Sequence, residues 1–232
     1  MNKRETKIER SYLWHNKGSV MIDTGNTRIL VAVTVQDGVP GFLRDKNQGW
    51  LTAEYGMLPA SSNERFRREA SRGKIVGRTA EIQRLIGRSL RAVVDLEKLA
   101  GYTILIDCDV LQADGGTRTA SITGACIALH DTFTEMIKAG KIKENPLSEM
   151  VAAISVGMLE GGYMLDLDYE ADSQAEVDLN VVMTASGKLV EVQGTAEGAL
   201  FSRTQLNDML DLAEKGIKEL IVLQKECLEL GE

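Results

Sequence analysis

Histidine is nearly missing from these 232 residues: only His15 and His130 occur, most of a domain apart. A histidine-based nucleophile triad or a histidine-rich zinc cluster therefore has too little material to form. Cysteine is equally thin. Cys108, Cys126 and Cys227 are odd in number, far apart and set mostly in apolar pattern, which reads as buried thiols and not as a disulfide framework. Three prolines against 44% hydrophobic residues exclude a disordered chain and argue for a packed globular one. No apolar run approaches the roughly 20 residues that a bilayer span requires. The opening Met1-Asn-Lys-Arg-Glu-Thr-Lys7 lacks the apolar core of a signal peptide, so a cytoplasmic protein away from membranes is expected. Two nucleotide-cradling signatures are also absent, G-x-x-x-x-G-K-[ST] and a strand-linked G-x-G-x-x-G.

Charge is present in quantity but unevenly. The net charge of -7 by itself argues weakly against a nucleic-acid partner. Between Arg65 and Arg91, however, stand nine basic residues (Arg65, Arg67, Arg68, Arg72, Lys74, Arg78, Arg84, Arg88, Arg91) and two acidic ones, Glu69 and Glu81. That segment carries +7 and leaves -14 for the remainder, an asymmetry that suits an acidic protein binding a polyanion.

The apolar pattern predicts a mixture of strands and helices. Residues 18–23 and 27–35 flank Gly25-Asn26 as a hairpin, and 49–53 adds a short strand. Residues 61–74 have no apolar periodicity and read as an exposed basic loop. Ile82, Leu85, Ile86, Leu90, Val93 and Val94 fall at helical spacing over 79–96. A strand over 102–110 follows, then a helix over about 117–138 with Ile122, Cys126, Leu129, Phe133 and Ile137 on one face. Strands over 151–158, 163–167, 176–184 and 188–193 come next. Ser202-Arg-Thr-Gln205 is a capping box that opens a last helix reaching about Cys227. With no Pro- or Ser-rich linker, residues 1–232 read as a single α+β domain.

Chemistry concentrates in three places. The stretch Asp107-Cys-Asp-Val-Leu-Gln-Ala-Asp-Gly-Gly-Thr-Arg-Thr-Ala-Ser-Ile-Thr-Gly-Ala125 takes a strand through a Gly115-Gly116 turn into a helix start. A helix N-terminus offers unpaired N–H groups and partial positive charge, glycine lets the backbone approach a ligand, and Arg118 adds a fork suited to phosphate oxygens. Thr117, Thr119 and Ser121 sit at the same junction. The local pattern fits an anion site and an ordinary capped helix equally well. Second, Asp166-Leu-Asp-Tyr-Glu-Ala-Asp-Ser-Gln-Ala-Glu-Val-Asp178 is acidic. Asp166 and Asp168 would share one face of a strand, while Asp172 and Asp178 could converge on Mg²⁺ if the chain turns between them. The competing reading is a solvated acidic turn. Third, Gly77-Arg78-Thr79 again places glycine and arginine before a helix, which makes Arg78 a second phosphate clamp. Arg84, Arg88 and Arg91 share one face of that helix, where pairing with Asp95 or Glu97 is the plainer account, more so for Arg91 than for Arg78. Taken together, the groups fit one reaction: inorganic phosphate held by Arg78 and the Gly116–Ser121 turn attacks a phosphodiester, with Mg²⁺ on Asp172 and Asp178 stabilising charge. No protein nucleophile is then needed.

Six segments carry a family resemblance: Gly49-Trp-Leu-Thr-Ala-Glu-Tyr-Gly-Met-Leu-Pro59, Gly77-Arg-Thr-Ala-Glu-Ile-Gln-Arg-Leu-Ile-Gly-Arg88, Asp107–Ala125, Leu165-Asp-Leu-Asp-Tyr-Glu-Ala-Asp172, Ala175-Glu-Val-Asp-Leu-Asn180 and Val192-Gln-Gly-Thr-Ala-Glu197. In that order, over roughly 7–228, the chain closely resembles the bacterial ribonuclease PH family, of the superfamily of polynucleotide phosphorylase and the exosome ring subunits. The resemblance implies two βαβα-type halves in one domain, of the ribosomal protein S5 domain 2-like type, assembled as a homohexamer, a trimer of dimers. It implies a phosphate-dependent 3′→5′ exoribonuclease, a tRNA nucleotidyltransferase that trims tRNA precursors and other RNA 3′ ends and releases nucleoside diphosphates. Carried over by motif, Arg78, Gly116, Thr117 and Arg118 bind phosphate with Ser121 nearby, Asp172 and Asp178 support the metal, and Arg118 joins them in catalysis. Arg65, Arg67, Arg68, Arg72 and Lys74 fall in the loop that guides RNA. The alternative is a non-catalytic RNA-binding ring subunit of an exosome-like assembly. Three departures stand out: an Arg-x-Asp-Gly-Arg arm is absent or replaced ahead of Lys7, Asp45–Gln48 replaces a glycine-rich turn, and Ala60 replaces an arginine.

Overall fold

In the computed structural model, which describes residues 2–160 and 162–230, nine strands form two sheets and four α-helices pack around them. The first sheet holds β1 (Thr6–Arg10), β2 (Ser19–Thr24), β3 (Thr27–Asp37), β4 (Trp50–Met57) and β5 (Tyr102–Gln112), in the order β1-β2-β3-β5-β4. Gly25 makes the tight β2–β3 turn at φ +55°, and Thr24 pairs with Thr27 across it. Strand β5 alternates: Ile104, Ile106, Cys108 and Val110 are buried, while Leu105, Asp107 and Asp109 point to the other face. It pairs antiparallel with β3 and parallel with β4. The parallel pair needs a crossover, which α1 (Gly77–Arg91) supplies.

Helix α2 (Thr117–Lys138) follows β5 and is buried on almost every side, because both sheets pack on it. Small residues allow this: a Cβ on Gly124 would meet Ile22 Cγ2 at 3.0 Å. Ile137, assigned by spacing to the core face, lies in the last turn and is 36% exposed. The second sheet orders β6 (Val151–Leu159), β7 (Gly162–Leu165), β8 (Val177–Thr184) and β9 (Leu189–Ala196) as β7-β6-β8-β9. Between β7 and β8 lies the short α3 (Tyr169–Gln174), and α4 (Arg203–Leu228) closes the chain against β6 and β8. One hydrophobic core runs from Val20 to Leu228 through both sheets.

Several expectations change. Strand β1, the arm side of the chain, has no sequence counterpart in the prediction. Helix α1 stops at Arg91, not near 96, because Asp95 accepts from the Glu97 N–H (3.1 Å) and starts a 3₁₀ turn, Leu96–Leu99. The expected pairing of Arg91 with Asp95 or Glu97 does not form: Arg91 lies 4.9 Å over the Trp50 ring and donates to the Leu51 carbonyl. Asp166 and Asp168 do not share a strand face. Asp166 turns the chain at φ +60°, and Asp168 caps α3 by accepting from the Ala171 N–H at 2.8 Å. A six-residue helix is too short to leave a periodic signature.

Candidate active site

The four helices start in two different ways. Helix α4 has a complete capping box, Ser202 with Gln205, and α3 has Asp168. Helices α1 and α2 have no side-chain cap at all: their N-caps are Val76 and Gly116. Uncapped starts leave N–H groups aimed outward with the positive end of the helix dipole behind them. Of the two readings the sequence left open for α2, the side-chain cap does not form, and its first N–H donors are open. Gly115 and Gly116 reach this geometry with φ of +72° and +66°, where a side chain would be strained.

Around these starts the expected phosphate residues take different positions. Thr117 is buried, its Oγ1 within 2.8 Å of the Tyr55 hydroxyl at the end of β4. Arg118 is one-fifth exposed and holds Gln193 Oε1 at 2.9 Å and Glu81 Oε1 at 3.5 Å. Arg78, at the start of α1, approaches Met57 Sδ at 3.9 Å and is otherwise open to solvent. Ser121 lies one turn inward, fully buried, and its hydroxyl donates to the Thr117 carbonyl at 2.8 Å. It shapes the first turn from behind and does not face the opening.

The acidic pair does come together. Asp172 rides on α3 and Asp178 on β8, and the intervening chain reversal brings them within mutual electrostatic reach. Burial pushes the Asp172 carboxyl above the ordinary range; Glu197 adds to this, while Arg118 and Arg78 oppose it. Burial also raises Asp178, reinforced by Asp172 and Glu197 and opposed by Arg118. Residues from α1, α2, α3, β8 and the segment just after β9 thus share one electrostatic site.

Asp178 Oδ1 is buried and has no hydrogen-bond partner among the described residues. An orphaned carboxylate oxygen beside a second carboxylate fits a divalent cation. Among the described residues no group of three metal-type side chains forms a ready-made cage. The donor set is thus two carboxylates, the kind of partial shell that Mg²⁺ completes with water and substrate phosphate.

Arg65, Arg67, Arg68 and Lys74 are exposed on the segment between β4 and α1. The side chain of Arg72 lies outside the described residues. Phe66, 44% exposed, stands between Arg65 and Arg67 and offers a ring on which a base can stack. Replacing Arg67 and Arg68 by alanine is expected to lower the salt slope of RNA binding by about 0.7 per lost phosphate contact. A titration of single-stranded RNA across salt concentrations checks this, and an unchanged slope would assign both residues to plain solvated surface.

Residue spacing alone did not single out Tyr55, Glu81, Gln193 and Glu197. All four lie in the segments that carry the family resemblance, which is the signal that could have found them.

The comparisons with known proteins bear on the family and the fold. Residues 2–135 match the RNase PH model described as "3′ exoribonuclease family, domain 1", and residues 149–216 match its domain 2. In structure the chain is similar to the Archaeoglobus fulgidus exosome with RNA bound to the active site, at TM-score 0.80 and 22% identity over 94% of this chain and 87% of the other. It is similar to rice (Oryza sativa) Rrp46, at TM-score 0.77 and 16% identity over 98% and 96%. A chain of the archaeal exosome core gives 0.75 and 19% over 97% and 87%. At these identities the likeness establishes the fold. Among the described residues, no helix is long and apolar enough to cross a membrane.

Proposed function

Because the chain belongs to the 3′ exoribonuclease family, with both domain models matched, we propose that it is a phosphate-dependent 3′→5′ exoribonuclease. Its substrates are tRNA precursors and other RNA 3′ ends, and its products are shortened RNA and nucleoside diphosphates. The observation that carries this reading is the pairing of two uncapped helix starts, each bearing an arginine, with two desolvated carboxylates.

The open N–H groups of α2, the Thr117 side chain and the forks of Arg118 and Arg78 hold inorganic phosphate. Ser121 fixes the first turn through the Thr117 carbonyl, and Tyr55 orients Thr117. A phosphate oxygen attacks the phosphorus of the last phosphodiester. The bond from phosphorus to the 3′ oxygen of the preceding nucleotide breaks, and that oxygen leaves as the new 3′ hydroxyl with the proton that the attacking hydrogen phosphate gives up. Arg118 neutralises charge that builds on the phosphoryl oxygens as the bond order changes. Asp172 and Asp178 would hold Mg²⁺, which when bound supplies Lewis-acid stabilisation of the attacked phosphodiester. Arg65, Arg67, Arg68, Arg72 and Lys74 steer the strand toward this point through its backbone. The reading carries with it a cytoplasmic homohexamer, a trimer of dimers, whose mass a sedimentation measurement reads.

Trimming of a 3′-extended tRNA is expected to require added phosphate and Mg²⁺ and to yield nucleoside diphosphates, resolved by chromatography of the products. Nucleoside monophosphates formed without phosphate would replace this reading with hydrolysis. The similarity to exosome subunits supports a second reading, a non-catalytic RNA-binding ring subunit. RNA binding without any phosphate-dependent cleavage would establish it.

A further inference from the structure

Arg4 stands two residues before β1. Its backbone N–H donates to Asp166 Oδ2 at 3.0 Å and its Nη2 to Asp166 Oδ1 at 2.7 Å. Its Nη1 donates to the Asp114 carbonyl at 2.6 Å. One side chain therefore ties the turn that leads into α2 to the bend that leads into α3. Both partners are well covered: the Arg4 side chain is 16% exposed and that of Asp166 5%.

The two segments already touch. A Cβ on Gly115 would meet the Leu167 carbonyl oxygen at 2.4 Å, so glycine is what allows this contact. Asp114 Oδ1 accepts from the Tyr169 N–H at 3.3 Å, and Asp114 Oδ2 accepts from Asn26 Nδ2 at 3.0 Å. The Arg4 guanidinium lies over Gly116 itself, 2.8 Å from where its Cβ would be. Glycine turns and a six-residue helix have little stiffness of their own. A bidentate, charge-assisted clamp from a third segment supplies it.

We propose that Arg4 is a positioning residue for phosphorolysis. Through Asp114 and Asp166 it sets the spacing between the phosphate-holding turn of α2 and the carboxylate that α3 carries, Asp172. The inference deepens the phosphorolytic reading and rests on it. Arg4 touches no substrate; it fixes where the donors of one half stand relative to the carboxylates of the other. Its replacement therefore affects phosphate and metal dependence and leaves the exposed basic loop alone.

The test removes both charges at once, because Arg4→Met alone would strand a buried carboxylate and unfold part of the chain. In the double variant Arg4→Met with Asp166→Asn, asparagine also tolerates the positive φ at 166. Expected are a cooperative melt, unchanged binding of single-stranded RNA without phosphate, and about a tenfold rise in the phosphate concentration that half-saturates cleavage. Protection against thermal unfolding by inorganic phosphate weakens in parallel. A lower melting temperature with unchanged phosphate half-saturation and unchanged protection would reduce Arg4 to a structural ion pair and overturn the proposal. Should the double variant not fold, Arg4→Lys keeps the ion pair but cannot hold Asp114 and Asp166 together. It is expected to raise the phosphate requirement in the same direction, and an unchanged requirement overturns the proposal. A wild-type protein without phosphate-dependent cleavage would sink the phosphorolytic reading instead. Phosphate protection of the two proteins then still reads the Arg4 clamp, and equal protection refutes it.

Discussion

Replacing Arg118 by alanine is expected to cost on the order of 100- to 1000-fold in phosphate-dependent cleavage. Among the described residues its side chain is the one cation that acts on both carboxylates of the site, and it projects from the first turn of α2, where the open N–H groups converge. Its loss removes a charge-assisted contact to phosphate and a preorganised donor for charge that grows in the transition state. The sign of the accompanying pH effect follows from the same geometry. Arg118 opposes the burial that raises Asp172, so without it the Asp172 carboxyl is raised further. The acid limb of residual activity therefore moves to higher pH. Single-turnover trimming of a 3′-extended tRNA over a pH series reads both effects. Normal turnover in this variant would place the phosphate site elsewhere. Arg118→Lys is expected to recover only a fraction of the activity, since a point charge cannot hold Gln193, Glu81 and phosphate as a fork does.

Asp178→Asn is expected to lose about 100-fold or more in activity, since even an outer-shell contact to a metal ligand is worth up to that factor. Stability should respond in the opposite direction. Burial, Asp172 and Glu197 raise the Asp178 carboxyl in the folded protein, so the folded state binds that proton more tightly than the unfolded chain. The group therefore favours folding below the ordinary carboxylate pKa, and that advantage is lost as pH rises through the raised value. At neutral pH a desolvated charge with an unpartnered oxygen remains, and asparagine removes it. The variant should melt no lower than wild type at pH 7 in the absence of Mg²⁺, with a flatter pH dependence between the ordinary carboxylate pKa and the raised value of Asp178. A thermal melt at several pH values, paired with cleavage at several Mg²⁺ concentrations, checks this. A lower melting point with retained activity would make Asp178 a structural carboxylate. A site that costs stability in order to act is what a functional reading requires.

The fold and the site were legible to different depths. Long elements with strong periodicity were readable: α2 begins and ends at the expected residues, and the Ser202 capping box opens α4. The hairpin at Gly25 and the strand that became β5 were equally plain. Short elements with mixed polarity were not. Strand β1 alternates half-buried and exposed residues without a clear apolar face, and α3 has only six residues among four acidic neighbours. Their existence depends on what packs against them and not on local preference. The same contrast holds in the site. Arg118, Asp172 and Asp178 are residue types that a sequence can nominate, whereas Tyr55, Gln193 and Arg4 matter only because of distant partners.

Taken alone, the sequence determined the chemistry at hand: two glycines and an arginine before a helix, a carboxylate pair, a basic segment and almost no histidine. Those are properties of residue types and short spacings, and they survive in one dimension. Tertiary structure decided whether the α2 start is capped or open, and it brought α1, α2, α3 and β8 to one point. It also set a remote Arg4 across the join between Asp114 and Asp166. The physical reason is range. Propensity and periodicity act over a few residues, while the join between the turn before α2 and the bend before α3 is made by covered contacts linking residues far apart in the chain.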